Sequence, residues 1–182
     1  PDARYMVGRS TYPNGSGFFE PTLRDIKNHD YNGNDNCGGN GFTWPLGFLP
    51  GDNYGRALAV SGAGGAGRDG LTVVGWSRKA SVPGPGYDNE SRAFACFITD
   101  GLDIWFLQQK DAPAGDPGAG AASQFKGMKD LKTYLQDNGI DMNGWELREA
   151  TCVSANGKVI AGWGVHNSVT EGFIATVNSP PP

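Results

Sequence analysis

The chain has 182 residues, enough for one domain with a sizeable core. Its 15 Lys and Arg against 19 Asp and Glu leave a net charge of -4, so it offers no general field for nucleic acid or an anionic membrane. Glycine and proline, 29 and 12 residues, are about 23% of the chain, yet five Trp, six Tyr and nine Phe oppose disorder.

No run of ~18 apolar residues is present, so no transmembrane segment is expected. Abundant glycine and aromatics, with short apolar runs between turn residues, predict a mainly β fold. Pro1-Asp2-Ala3-Arg4 reads like the turn Ser154–Lys158, so the first strand of an opening repeat is expected upstream, in a longer or processed product.

One phrase recurs along the chain: YMVGRS (Tyr5–Ser10), TVVGWS (Thr72–Ser77) and VIAGWG (Val159–Gly164). Internal repetition means an array of one supersecondary unit. The first copy continues with GFFEPTL (Gly17–Leu23) and, after a polar insertion, TWPLGFL (Thr43–Leu49). The second copy reads RALAVS (Arg56–Ser61), TVVGWS, a surface loop, RAFACFI (Arg92–Ile98), a tight turn at Thr99-Asp100-Gly101, and LDIWFL (Leu102–Leu107). Four short strands in succession form an antiparallel meander, and repeated meanders are the blades of a β-propeller.

The segment QQKDAPAGDPGAGAA that follows cannot bury much. Ser123–Gly139 reads as the one short α-helix, with Ser123 as cap, Phe125, Met128, Leu131 and Leu135 near helical spacing, and Gly139 as its end. The third copy supplies REATCVS (Arg148–Ser154), KVIAGWG and EGFIATV (Glu171–Val177). Asn156-Gly157 between apolar runs predicts a type I′ hairpin turn.

The expected architecture is a propeller-like array, partial or open within this chain. Blade 1 spans 1–52 with an inserted loop at 24–41, and blade 2 spans 53–108. A flexible loop and helix follow at 109–145, then blade 3 at 146–177 and a Pro-rich tail at 178–182. Blade 1 lacks its first strand and blade 3 its last, so closure within this chain is not expected. Open edges of that kind invite a protein partner or assembly with further copies.

The order Ala-x-x-Val-Ser, then Val-x-Gly-Trp, then Ala-Phe, seen in AVS...GLTVVGWS, SRAF, LGFLPGD, GWELREA and CVSANGKVIAGW, resembles the HAF repeat family of extracellular bacterial proteins. The resemblance covers about two thirds of the chain. It implies a propeller-like β architecture and secretion to an extracellular or periplasmic location. It carries over no catalytic residues.

Candidate sites are few. Asp30, Asn32, Asn34 and Asp35 in NHDYNGNDNCGGNG (Asn28–Gly41) supply closely spaced hard oxygens of the kind Ca²⁺ accepts, although the spacing is not that of an EF-hand. The other reading is a turn-rich loop bonding its own backbone, and a calorimetric Ca²⁺ titration of chelator-treated protein separates the two. Trp76 and Trp163 occupy matching places in their hairpins, with Arg9 in the first copy. They serve either as stacking platforms for a polysaccharide or as packing between blades.

Cys37, Cys96 and Cys152 have no C-x-x-C spacing, which excludes common zinc and redox motifs. Cys96 and Cys152 fall in strands of neighbouring repeats. They are a candidate disulfide or two small buried side chains. No G-x-S-x-G, Walker or H-E-x-x-H pattern occurs, and His29 and His166 fall in separate predicted loops. The expected role is therefore a non-catalytic scaffold; a carbohydrate-binding module is the alternative, and a propeller hydrolase the least supported.

Overall fold

The computed structural model describes residues 5–11, 19–25, 43–62, 71–79, 91–98 and 128–177. They form three antiparallel sheets and one short helix. The first sheet joins β1 (Tyr5–Thr11), β2 (Phe19–Asp25) and β3 (Thr43–Pro45) in that order. The second joins β4 (Tyr54–Val60), β5 (Leu71–Arg78), β6 (Arg92–Ile98) and β7 (Met128–Asp130). The third joins β8 (Trp145–Val153), β9 (Val159–His166) and β10 (Val169–Thr176). Among the described residues no helix is long and apolar enough to cross a membrane.

Strand alternation divides the interior into two cores. Val73, Phe94, Cys96 and Ile98 turn one face of the second sheet toward Tyr5, Leu23, Leu46 and Leu49. Val74, Ala93, Ala95 and Phe97 turn the opposite face toward Leu147, Ala150, Ile160 and Phe173 of the third sheet. The same contact is used twice: β4 lies against β1 and β2, and β8 lies against β5 and β6.

Of the helix expected over Ser123–Gly139, residues 123–127 lie outside the described residues, and among the rest the helix α1 spans Leu131–Asp137. Met128–Asp130 instead pairs with Phe94–Cys96 as the fourth strand of the second sheet. That edge was expected to take Leu102–Leu107, which lies outside the described residues. Asp130, rather than Ser123, caps α1, its Oδ1 accepting the Thr133 N–H at 3.0 Å. Leu131, Tyr134 and Leu135 form the buried i, i+3, i+4 stripe, which packs into the second core beside β6. Burial raises the Tyr134 phenol pKa above its usual value. The chain leaves α1 through Asn138 and then Gly139 at φ +81°, near the predicted end.

The positive-φ hairpin turn also differs from expectation. Gly157 has φ 72°, but Asn156 does not enter the positive region; Gly157 N–H donates to Ser154 O at 2.9 Å. The Asn156 side chain accounts for this, because its Oδ1 accepts bonds from Ser154 Oγ at 2.7 Å and Lys158 N at 3.1 Å. The two-residue turn with both φ values positive is Asn167-Ser168, at 50° and 71°, between the paired residues His166 and Val169. It has the φ signature of a type I′ turn. Local side-chain bonding at one turn, and loop length at the other, decide the outcome.

Candidate functional site: the repeated glycine notch and the two ends of the sheet array

The recurring glycine marks a close backbone approach. In the second sheet Ala57 faces Gly75, and the register of β4 then slips between Ala57 and Ala59. In the third sheet Ala150 faces Gly162, and β8 slips between Ala150 and Cys152. Both slips are β-bulges, which bend the strand toward its neighbour. A Cβ on Gly75 would overlap the Arg56 carbonyl oxygen and stand 2.9 Å from both Ala57 Cα and the Phe94 ring. A Cβ on Gly162 would overlap the Glu149 carbonyl oxygen and stand 2.9 Å from Ala150 Cα and 2.8 Å from the Phe173 ring. Only glycine fits, and it fits for the same reason twice.

The serine ending each Ala-x-x-Val-Ser phrase repeats as well. Ser61 N–H donates to Thr72 O at 2.9 Å while Ser61 Oγ accepts from Thr72 N at 2.8 Å. Ser154 N–H donates to Val159 O at 2.8 Å while its Oγ accepts from Val159 N at 2.9 Å. Alanine, bulge, glycine and serine therefore form one structural unit, present in the second and third sheets.

Gly8 is the exception. It pairs with Thr22 on one side as Gly75 pairs with Phe94 and Gly162 with Phe173. A Cβ there would meet nothing within 4 Å. Among the described residues β1 is an edge strand, with no counterpart of β4 or β8 beside it.

Equivalent side chains report the same difference. Val73 and Ile160, two residues before their glycines, are fully buried, but Met6 is 53% exposed. At the other end of the array, the register pairs Val7 with Leu23, Val74 with Ala95 and Ala161 with Ile174. Leu23 and Ala95 are fully buried, whereas Ile174 is 79% exposed. Val169 is also exposed, and a cleft of ≈ 480 Å³ lined by Leu135, Met142, Trp145 and Phe173 opens beside Ile174. Met6 and Ile174, at positions whose equivalents form core between sheets, are thus bare on the outer faces of the first and third sheets, whereas Thr22, opposite Gly8, is buried.

The three matching hairpin residues lie as follows. Trp76 is half-buried and stacks on Tyr54 with ring centroids 5.7 Å apart, while the Arg78 guanidinium lies over both rings. Arg9 is exposed and lies 4.0 Å from the Phe19 ring centroid, and Phe19 meets Tyr54 edge-on. This row of rings and cations joins the first sheet to the second. Trp163 is half-buried between Glu149 and Gly172 of its neighbouring strands.

Cys96 and Cys152 are not bridged to one another. Cys96 is fully buried in the first core, on the face of β6 turned away from β8, and Cys152 is exposed. The alternation of side chains along β6 prevents the pairing that sequence proximity of the repeats suggested. Asp30, Asn32, Asn34, Asp35, Cys37 and His29 lie outside the described residues. Among the described residues no group of three His, Cys, Asp or Glu could hold a metal ion. His166 belongs to β9 instead of a loop, stacks on Trp145 at 4.6 Å, and has Nδ1 3.5 Å from Glu171.

A second cleft, ≈ 760 Å³, runs past Pro50, Arg92, Lys129 and Asp137. Arg92 braces it: its guanidinium meets Asp52 at 2.8 Å, Asp130 at 3.6 Å and Pro50 O at 3.0 Å. Arg92→Ala is expected to cost about 1 kcal/mol in urea unfolding, since the arginine is partly exposed but joins three elements. An unchanged midpoint would show that the cluster adds no net stability.

No protein-family model matches the chain, and no curated protein or solved structure matches it. The resemblance to the HAF repeat family rests on the phrases quoted above alone. The open notch at Gly8 and the bare Ile174 are not visible in composition or motif. They appear only when equivalent positions of the three sheets are compared.

Proposed function

We propose that this chain is a non-catalytic, secreted scaffold whose three sheets are successive blades of a propeller-like array, and that its outer faces bind further copies of the chain. The observation that carries this reading is the exposure of Met6 and Ile174 at positions whose equivalents in the neighbouring sheets are wholly buried. Stacked repeats normally end in polar capping faces, because an apolar end is an unsatisfied interface. Here each outer face carries an exposed apolar side chain, Met6 at one end and Ile174 at the other, so a head-to-tail contact can use both.

Light scattering of the purified chain at micromolar concentration tests the proposal. A discrete oligomer is expected, and Ile174→Asp is expected to weaken it by at least about tenfold by placing an unpaired charge in the contact. A wild-type chain that stays monomeric across the accessible concentration range would overturn the scaffold reading. Secretion is supported by the HAF-like phrases.

A further inference from the structure

The outer edge of β1 has a more specific complement than a generic apolar surface. We infer that β1 accepts an added strand of one sequence type, Glu-Ala-x-x-Val-Ser, supplied by another chain and docked as β8 docks on β9. The inference deepens the scaffold reading and rests on it, but concerns the β1 edge instead of the Ile174 face.

The register follows from the two occupied copies. In each, alanine sits opposite the glycine, the bulge follows, valine pairs with the residue two before the glycine, and serine closes on the residue three before it. Transferred to β1, the guest alanine faces Gly8, the valine covers Met6 and the serine lies opposite Tyr5. Gly8 is the one repeated glycine whose notch is open, since a Cβ there would touch nothing within 4 Å. Met6, 53% exposed, is the side chain that the guest valine would shield.

The residue before the alanine selects the guest. In the second sheet Arg56 pairs with Trp76, and in the third Glu149 pairs with Trp163. In β1 the same position is Arg9, which is exposed. A guest acid opposite Arg9 makes a favourable cross-strand pair, whereas a guest arginine repels it. The notch therefore prefers a strand like β8, Glu149-Ala150-Thr151-Cys152-Val153-Ser154, over one like β4. Main-chain hydrogen bonds along the edge supply affinity, and the glycine notch and Arg9 supply the choice.

The probe is a labelled peptide of the sequence Leu147–Ser154 carrying Cys152→Ser, titrated against the full chain by fluorescence anisotropy. Saturable binding is expected, weakened at least about tenfold by Gly8→Val in the protein or by A150V in the peptide, because either substitution fills the space into which the strand must bend. Gly8→Val should leave the melting temperature unchanged or raised, since its site is empty and valine suits a strand. A peptide of the β4 sequence Gly55–Gly62 should bind more weakly than the β8 peptide, and Arg9→Glu should reverse that order.

Absence of saturable binding, or equal binding to wild type and Gly8→Val, overturns the inference. If the chain still assembles in light scattering, the scaffold proposal survives that result. If the peptide binds with the stated specificity but the chain remains monomeric, the proposal of self-assembly falls and the strand site stands.

Discussion

Gly75→Ala is expected to lower the melting temperature by about 6–12 °C, the equivalent of about 3 kcal/mol in a chain of this size. The added methyl would overlap the Arg56 carbonyl oxygen and press on Ala57 Cα and the Phe94 ring at 2.9 Å. Two of those neighbours are backbone atoms within a hydrogen-bonded sheet, so the strain must move β4 away from β5 and loosen the bulge after Ala57. Gly162→Ala should behave alike, because Glu149 O, Ala150 Cα and the Phe173 ring surround it in the same way. Gly8→Ala should cost nothing. Differential scanning calorimetry of the three variants checks the pattern, and equal losses at all three sites would show that the glycines act through backbone flexibility rather than through close approach.

Phe94→Ala is expected to cost about 3–5 kcal/mol in chemical denaturation. Phe94 is fully buried, and its ring covers Gly75 at the centre of the core shared by the first and second sheets. Its truncation leaves a cavity bounded by two sheets held by hydrogen bonds, which cannot collapse far. Phe173→Ala should cost less, because its ring is 9% exposed and lines the open cleft beside Ile174. A loss for Phe173→Ala equal to that for Phe94→Ala would mean that the third sheet is covered in solution, which favours the assembled state.

Much of the local structure was legible beforehand. The runs Val73-Val74-Gly75 and Ile160-Ala161-Gly162 lie in strands in both places, and their partners Arg56–Ser61 and Arg148–Ser154 are correctly adjacent. Alternating apolar and small residues set these strands with little competition from helix. The stretch from Met128 to Leu135 was not legible, because Met128, Leu131 and Leu135 have helical spacing whether or not the first of them is helical. Pairing of Met128–Asp130 with β6 satisfies three residues of sheet edge that helix alone would leave open. Asn156 was misread for a related reason: its side-chain oxygen bonds Ser154 and Lys158, a local option that a dipeptide signal does not contain.

The candidate site was legible in part. Among the described strands β1 is an edge, as counting strands predicts, and Trp76 and Trp163 hold the matching places after their glycines. Which glycine stands open was not legible, since Gly8, Gly75 and Gly162 occur in similar phrases. The Cys96–Cys152 pairing failed because Cys96 points into the first core whereas Cys152 is exposed on the third sheet.

The amino-acid sequence by itself determined the repeating unit: a strand ending in Ala-x-x-Val-Ser, a turn, and a strand in which two apolar residues precede a glycine. These are short-range matters of turn chemistry, side-chain alternation and the absence of a Cβ. Only the tertiary structure decided that the glycine is an obligatory contact in the second and third sheets and an empty notch in the first. That difference depends on whether another strand lies alongside, a fact about packing between distant segments that no local phrase encodes.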